Sequence, residues 1–134
     1  MGGFEKEDLQ ELLSLMDKNY IGWADYLAPL VIGSNNSNEL IGELSGSFCS
    51  TDPVIAKNFA EATFLSDYRH ILKEITQPSL IFQSKNDALA STSVGEYIHN
   101  NIAKSKLEII QADGHCLHMT HPDDIVDIII ENAK

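Results

Sequence analysis

Pro78 separates two hydrophobic rhythms, and the residues after it constrain the fold most. Ser79-Leu80-Ile81-Phe82-Gln83-Ser84 is an apolar run of buried-strand length, closed by Lys85-Asn86-Asp87. Ser91 is placed to cap a helix through Val94, Tyr97, Ile98 and Ile102, and residues 106–112 read as a second strand ending at Asp113-Gly114. A last helix is predicted from Pro122, with Ile125, Ile128 and Ile129 on one face and Asp123 and Asp124 in its first turn, where the helix dipole favours them. Strand, helix, strand with short connections predicts a right-handed parallel crossover, so both strands end on the same sheet edge. Loops 85–90 and 113–120 then become neighbours, on the edge where α/β sheets build their sites. Two parallel strands need further partners, because parallel sheets are buried on both faces. The sequence therefore reads as part of a domain.

Before Pro78 the apolar period is helical. Over residues 5–19, Leu9, Leu12, Leu13 and Met16 fall at i, i+3, i+4 and i+7, one face of an amphipathic helix. A second helix over residues 22–32 carries Trp23, Tyr26, Leu27, Leu30 and Val31 and ends at Gly33 in a polar turn, which predicts a helical hairpin. Asn38 is the candidate N-cap of a third helix, with Leu40, Ile41, Leu44 and Phe48 at helical spacing. Asp52-Pro53 starts a fourth, since proline lacks the N–H that goes unpaired at the first helical position, and Ile55, Phe59 and Ala62 continue its face. A short helix over residues 67–74 closes this half. The expected division is a helical region over residues 1–75 and a β-α-β-α region over 76–134.

The sequence has 134 residues, with 9 Lys plus Arg against 20 Asp plus Glu for a net charge of −11. That field repels phosphate backbones and anionic lipid, which argues against nucleic acid or a membrane surface as partner. Two cysteines, Cys49 and Cys116, with no second pair fit a reducing compartment, and no basic, apolar leader or 18-residue apolar run appears, so a cytoplasmic location is expected.

The chemistry sits in the two predicted loops. Asp87 after the first strand and His115 after the second bring a carboxylate beside an imidazole across 28 positions. A carboxylate accepting from one ring nitrogen fixes the tautomer and frees the other nitrogen to take a proton from a hydroxyl nucleophile. The bland alternatives are a turn or cap aspartate and a structural histidine. The run His115-Cys116-Leu117-His118-Met119-Thr120-His121 suggests zinc less well, because structural zinc sites pair two separated ligand couples and Cys49 lies in the helical half. No metal or cofactor is expected.

The strand with Lys85-Asn86-Asp87, together with Gly114-His115-Cys116-Leu117-His118-Met119 and His121-Pro122, resembles the C-terminal half of an α/β-hydrolase. Lys18-Asn19-Tyr20-Ile21-Gly22-Trp23-Ala24 and Phe48-Cys49-Ser50-Thr51-Asp52-Pro53-Val54-Ile55-Ala56 resemble more narrowly the RsbQ type of sigma-B energy-stress regulator, related to plant strigolactone and karrikin receptors. The resemblance implies an α/β fold in which a helical lid precedes the last strands of the hydrolase sheet. It implies Asp87 as triad acid, His115 as triad base, and Trp23, Phe48, Phe59 and Phe64 around a pocket for a small apolar ester or lactone. It also implies a partner phosphatase of the metal-dependent serine/threonine type, with ligand sensing as the alternative to hydrolysis.

The family nucleophile is a serine in a Gly-x-Ser-x-Gly elbow. No such elbow occurs, and Gly42-Glu43-Leu44-Ser45-Gly46 has one residue too many before the serine. Met1-Gly2-Gly3 stands where the family chain passes from sheet to lid, so a truncated hydrolase lacking its nucleophile and oxyanion hole is expected. Such a chain alone is expected not to turn esters over at enzyme rates.

Overall fold

The computed structural model describes residues 4–133; Met1-Gly2-Gly3, and with them the expected passage from sheet to lid, lie outside the described residues, as does Lys134. Four helices come first: α1 (Lys6–Lys18), α2 (Tyr20–Ile32), α3 (Asn38–Cys49) and α4 (Pro53–Phe64). A 3-10 segment (Arg69–Glu74) leads to β1 (Ser79–Asn86), α5 (Thr92–Asn101), β2 (Ser105–Asp113), the single turn α6 (Leu117–Thr120) and α7 (Pro122–Asn132).

Asn19 alone joins α1 to α2. Its N–H donates to the Leu15 carbonyl at 2.8 Å, while its side-chain oxygen accepts from the Gly22 N–H at 2.9 Å. One residue thus serves as C-cap and N-cap, which leaves no slack in the hairpin. The core it closes is built by Leu12, Leu13 and Met16 of α1, Trp23, Leu27 and Val31 of α2, and Ala60 of α4. The α1 spacing thus marks its buried face. Lys57 pairs with Asp17 and with Glu61, tying α4 to α1.

Three local expectations are corrected. Ser37, not Asn38, caps α3, its hydroxyl accepting from the Leu40 N–H at 3.3 Å. Residues 69–74 form a 3-10 segment rather than an α-helix, with i to i+3 bonds from the Ile71 N–H to the Tyr68 carbonyl and from the Ile75 N–H to the Leu72 carbonyl, and with Asp67 holding the Arg69 N–H and guanidinium at its start. Ser91 precedes α5 but gives it no side-chain cap; its hydroxyl bonds that of Ser93 at 2.8 Å.

The strands pair in parallel, from Ser79 opposite Ser105 to Asn86 opposite Asp113, with a register shift between Ser84 and Asn86. The crossover helix α5 packs on both. Val126, Ile129 and Ile130 of α7 and Ile109 of β2 stay exposed, so among the described residues the sheet is not covered on every side.

The turn after α2 closes onto the strand ends. Gly33 has φ +90° and Gly114 has φ +89°, and a Cβ on Gly33 would lie 2.8 Å from the Gly114 nitrogen. Asn35 and Asn86 donate their amides to Asp113, the latter at 2.7 Å, and these bonds, with His121 nearby, hold the Asp113 carboxyl below its ordinary range. A depressed native value means the stabilisation is complete above the unfolded value near pH 4 and is lost as pH falls through the lower native one. The melting temperature is therefore expected to fall as pH drops below about 4, and Asp113→Asn to flatten that part of the profile, as read by thermal unfolding followed by circular dichroism.

Candidate active site

The two strand ends bring a carboxylate beside an imidazole. Asp87 opens the loop after β1 and turns its carboxylate back on its own backbone: Oδ1 accepts from the N–H groups of Leu89 at 2.8 Å and Ala90 at 3.1 Å. Oδ2 is left for the imidazole, and His115 Nδ1 stands 2.7 Å from it. The Asp87 side chain is 4% exposed and that of His115 is 49% exposed, so the acceptor is buried and the ring opens outward. A carboxylate can only accept, which puts the proton on Nδ1 and leaves the Nε2 lone pair available.

Further bonds hold this arrangement. Gln83, buried on β1, donates Nε2 to the carbonyls of Ser84 at 3.0 Å and Ala90 at 2.9 Å, pinning the far end of the Asp87 loop. On the other side Gly114 donates its N–H to the Asn86 carbonyl at 2.9 Å, and His115 its N–H to the Val31 carbonyl at 2.6 Å. The histidine backbone is thus fastened to the end of α2.

His115 forms part of the wall of a cavity of about 880 Å³ between the helical half and the strand ends. Trp23, Phe48, Phe59 and Phe64 all line it. Trp23 stacks on Tyr20 with centroids 5.3 Å apart and meets Phe48 at 5.1 Å. Phe59 is 74% exposed, and with Ile55 it turns the apolar face of α4 to the cavity rather than into the core; Ala60 is the buried residue of that helix.

Sequence reasoning missed Tyr20, Leu89 and Val94 as lining residues. The Tyr20 hydroxyl donates to the Phe48 carbonyl at 2.8 Å, and burial pushes its phenol up, keeping it a neutral donor. Its place one helical turn from Trp23 was the available signal. Leu89, in the loop after Asp87, and Val94, in the first turn of α5, come to the cavity because the loop folds back and starts α5 beside it.

The histidine-rich run does not converge. His121 Nδ1 pairs with the Thr120 hydroxyl at 2.9 Å, and among the described residues no three His, Cys, Asp or Glu side chains are grouped to hold a metal ion. Burial and the neighbouring Asp87 carboxylate push the Cys116 thiol up, so it stays protonated and a poor nucleophile. No described helix is long and apolar enough to cross a membrane.

A helical half and two parallel strands, with a carboxylate–imidazole contact at their carboxyl ends, match the C-terminal half of an α/β-hydrolase fold. The chain is similar, in sequence and in fold, to the C-terminal half of α/β-hydrolases. It is 36% identical over 134 residues to Karrikin insensitive 2 receptor IA of Petunia hybrida, covering 99% of this chain and 49% of that protein. It is 33% identical over 134 residues to a probable esterase of Oryza sativa subsp. japonica, with 99% and 49% covered. A solved hydrolase from Oleispira antarctica shares 63% identity at a TM-score of 0.95, over 98% of this chain and 48% of that one. An esterase from Exiguobacterium antarcticum matches at a TM-score of 0.89 over 98% and 49%, and at 19% identity that shows the fold alone. No family model matches. The chain spans about half the length of the curated relatives it matches.

Proposed function

We propose that these residues supply the acid, the base and the ligand pocket of a serine α/β-hydrolase that acts on, or senses, a small apolar ester or lactone. The observation that carries the reading is the 2.7 Å bond from His115 Nδ1 to the buried Asp87, placed in the wall of an apolar cavity. His115 Nε2 takes the proton of an attacking serine and returns it to the leaving alcohol; Asp87 holds the ring and stabilises the imidazolium. The serine and the oxyanion donors come from polypeptide outside these 134 residues, and without them the pair gives little rate on its own.

The test is a fluorophosphonate probe, which reacts only with an activated serine, applied to the native polypeptide captured from source cells. Labelling of one serine on a species about twice 14.8 kDa, with turnover of p-nitrophenyl butyrate, is the expected result. A native polypeptide that neither labels nor turns over overturns the catalytic reading.

A second reading is signalling of the RsbQ type, in which ligand binding regulates a metal-dependent serine/threonine phosphatase. It is favoured by relatives whose names are receptors rather than enzymes. Slow, near-single turnover with recovery of a phosphatase in pull-downs is its expected signature, and fast multiple turnover of generic esters counts against it.

A further inference from the structure

Asp113 lies outside the acid–base pair, yet every segment that builds the pair is bonded to it or to its immediate neighbour. Its Oδ1 accepts from Asn86 Nδ2 at 2.7 Å, and Asn86 directly precedes Asp87. Its other carboxylate oxygen accepts from Asn35, in the turn that ends α2, 78 positions away in sequence. Its carbonyl accepts from Asn36 Nδ2 at 3.0 Å, and the same amide donates to the Ile32 carbonyl at 2.6 Å. The next residue, Gly114, donates to the Asn86 carbonyl at 2.9 Å, and His115 follows.

The strand ladder cannot do this alignment. Ser84 pairs with Ile110, but Asn86 pairs with Asp113, so β1 advances two residues while β2 advances three. The extra residue on β2 breaks the register where the two loops leave the sheet.

Resting on the hydrolase reading above, we propose that Asp113 is a positioning residue: it clasps the turn 33–36 of the helical half to both catalytic loops and so sets the bond between Asp87 and His115. A carboxylate suits the place because both facing groups are amides that donate. The order of donor and acceptor is reversible for the Asn35 contact. With aspartate at 35 and asparagine at 113, the new Nδ2 donates to position 35 while its Oδ1 still accepts from Asn86.

The experiment compares Asp113→Ala, Asn35→Asp and the exchange Asn35→Asp with Asp113→Asn, in the native polypeptide that carries this sequence. Two readouts are used: the rate and half-saturating concentration of fluorophosphonate inactivation, and the solvent exchange of the His115 Nδ1 proton by NMR. Asp113→Ala is expected to slow maximal inactivation by about tenfold to a hundredfold with little change in half-saturation, because the base is misplaced while the pocket stays. Asn35→Asp, which opposes two carboxylates, is expected to behave likewise, and the exchange to return within about threefold of the parent. The Nδ1 proton is expected to exchange about tenfold faster in the first two variants and to recover in the third. Parental rates in Asp113→Ala, or an exchange variant as slow as Asn35→Asp alone, overturn the clasp. If the parent is never labelled, the hydrolase reading fails, and the proton exchange still decides the clasp by itself.

Discussion

Gly114→Ala lowers the melting temperature by about 10–20 °C, the largest loss of stability expected from alanine at any of the described glycines. Two causes add. At φ +89° the backbone occupies a region that L side chains rarely adopt, which costs of order 1–3 kcal/mol. The added Cβ would also stand 1.9 Å from the Ile32 carbonyl oxygen, a backbone atom that no rotamer change can move aside. The loop must retreat from α2, and the 2.6 Å bond from the His115 N–H to the Val31 carbonyl goes with it. Gly42 and Gly46 are the controls: both lie inside α3 with open space where a Cβ would go. Alanine at either is expected to raise stability by about 0.5–1 kcal/mol, since it only removes backbone freedom from the unfolded chain. Thermal unfolding of the three variants side by side separates the mechanisms, and a Gly114→Ala variant as stable as the parent contradicts the close approach.

His115→Ala is expected to reduce ester turnover and probe labelling of the native polypeptide by about 10⁴-fold or more, with folding retained because the side chain is half exposed and adds little to the core. Only the base is lost, so pocket occupancy is expected to stay near the parent's. Asp87→Asn reaches a similar loss by another route. Asparagine keeps the shape but offers an amide N–H where the ring needs an acceptor, and the histidine turns to the wrong tautomer; about 10³–10⁴-fold is expected. Steady-state turnover with p-nitrophenyl butyrate measures both. A His115→Ala variant that retains the parental rate removes His115 from the mechanism.

The pairing of Asp87 with His115 was legible because it needed only topology. Two strands joined by one helix must run in parallel, and parallel strands finish on one edge. The order of helices was legible for similar reasons: Gly33 and Asp52-Pro53 are local signals read within one turn of chain. What stayed hidden depends on atoms far apart in sequence. Asn35 and Asn36 look like ordinary turn residues until the turn meets Asp113. The hydroxyl that caps α3 is one position from the residue expected, because Ser37 and Asn38 are equally able caps and only the incoming backbone chooses. Phe59 follows the periodicity of a core residue, yet its face looks into the cavity, and periodicity cannot tell a packed wall from an open one. The turn α6 is too short to announce itself by spacing.

Trp23 is the sole tryptophan in the sequence, beside four tyrosines and five phenylalanines, and it is 4% exposed, in the cavity wall, stacked on Tyr20. Within these 134 residues the indole emission therefore comes from one place only, and that place is the proposed ligand site. Excited through the tyrosines or directly, the chain carries a built-in optical gauge. A shift or quench on adding a candidate ester reports occupancy without any label, and a flat titration reports that the ligand sits elsewhere.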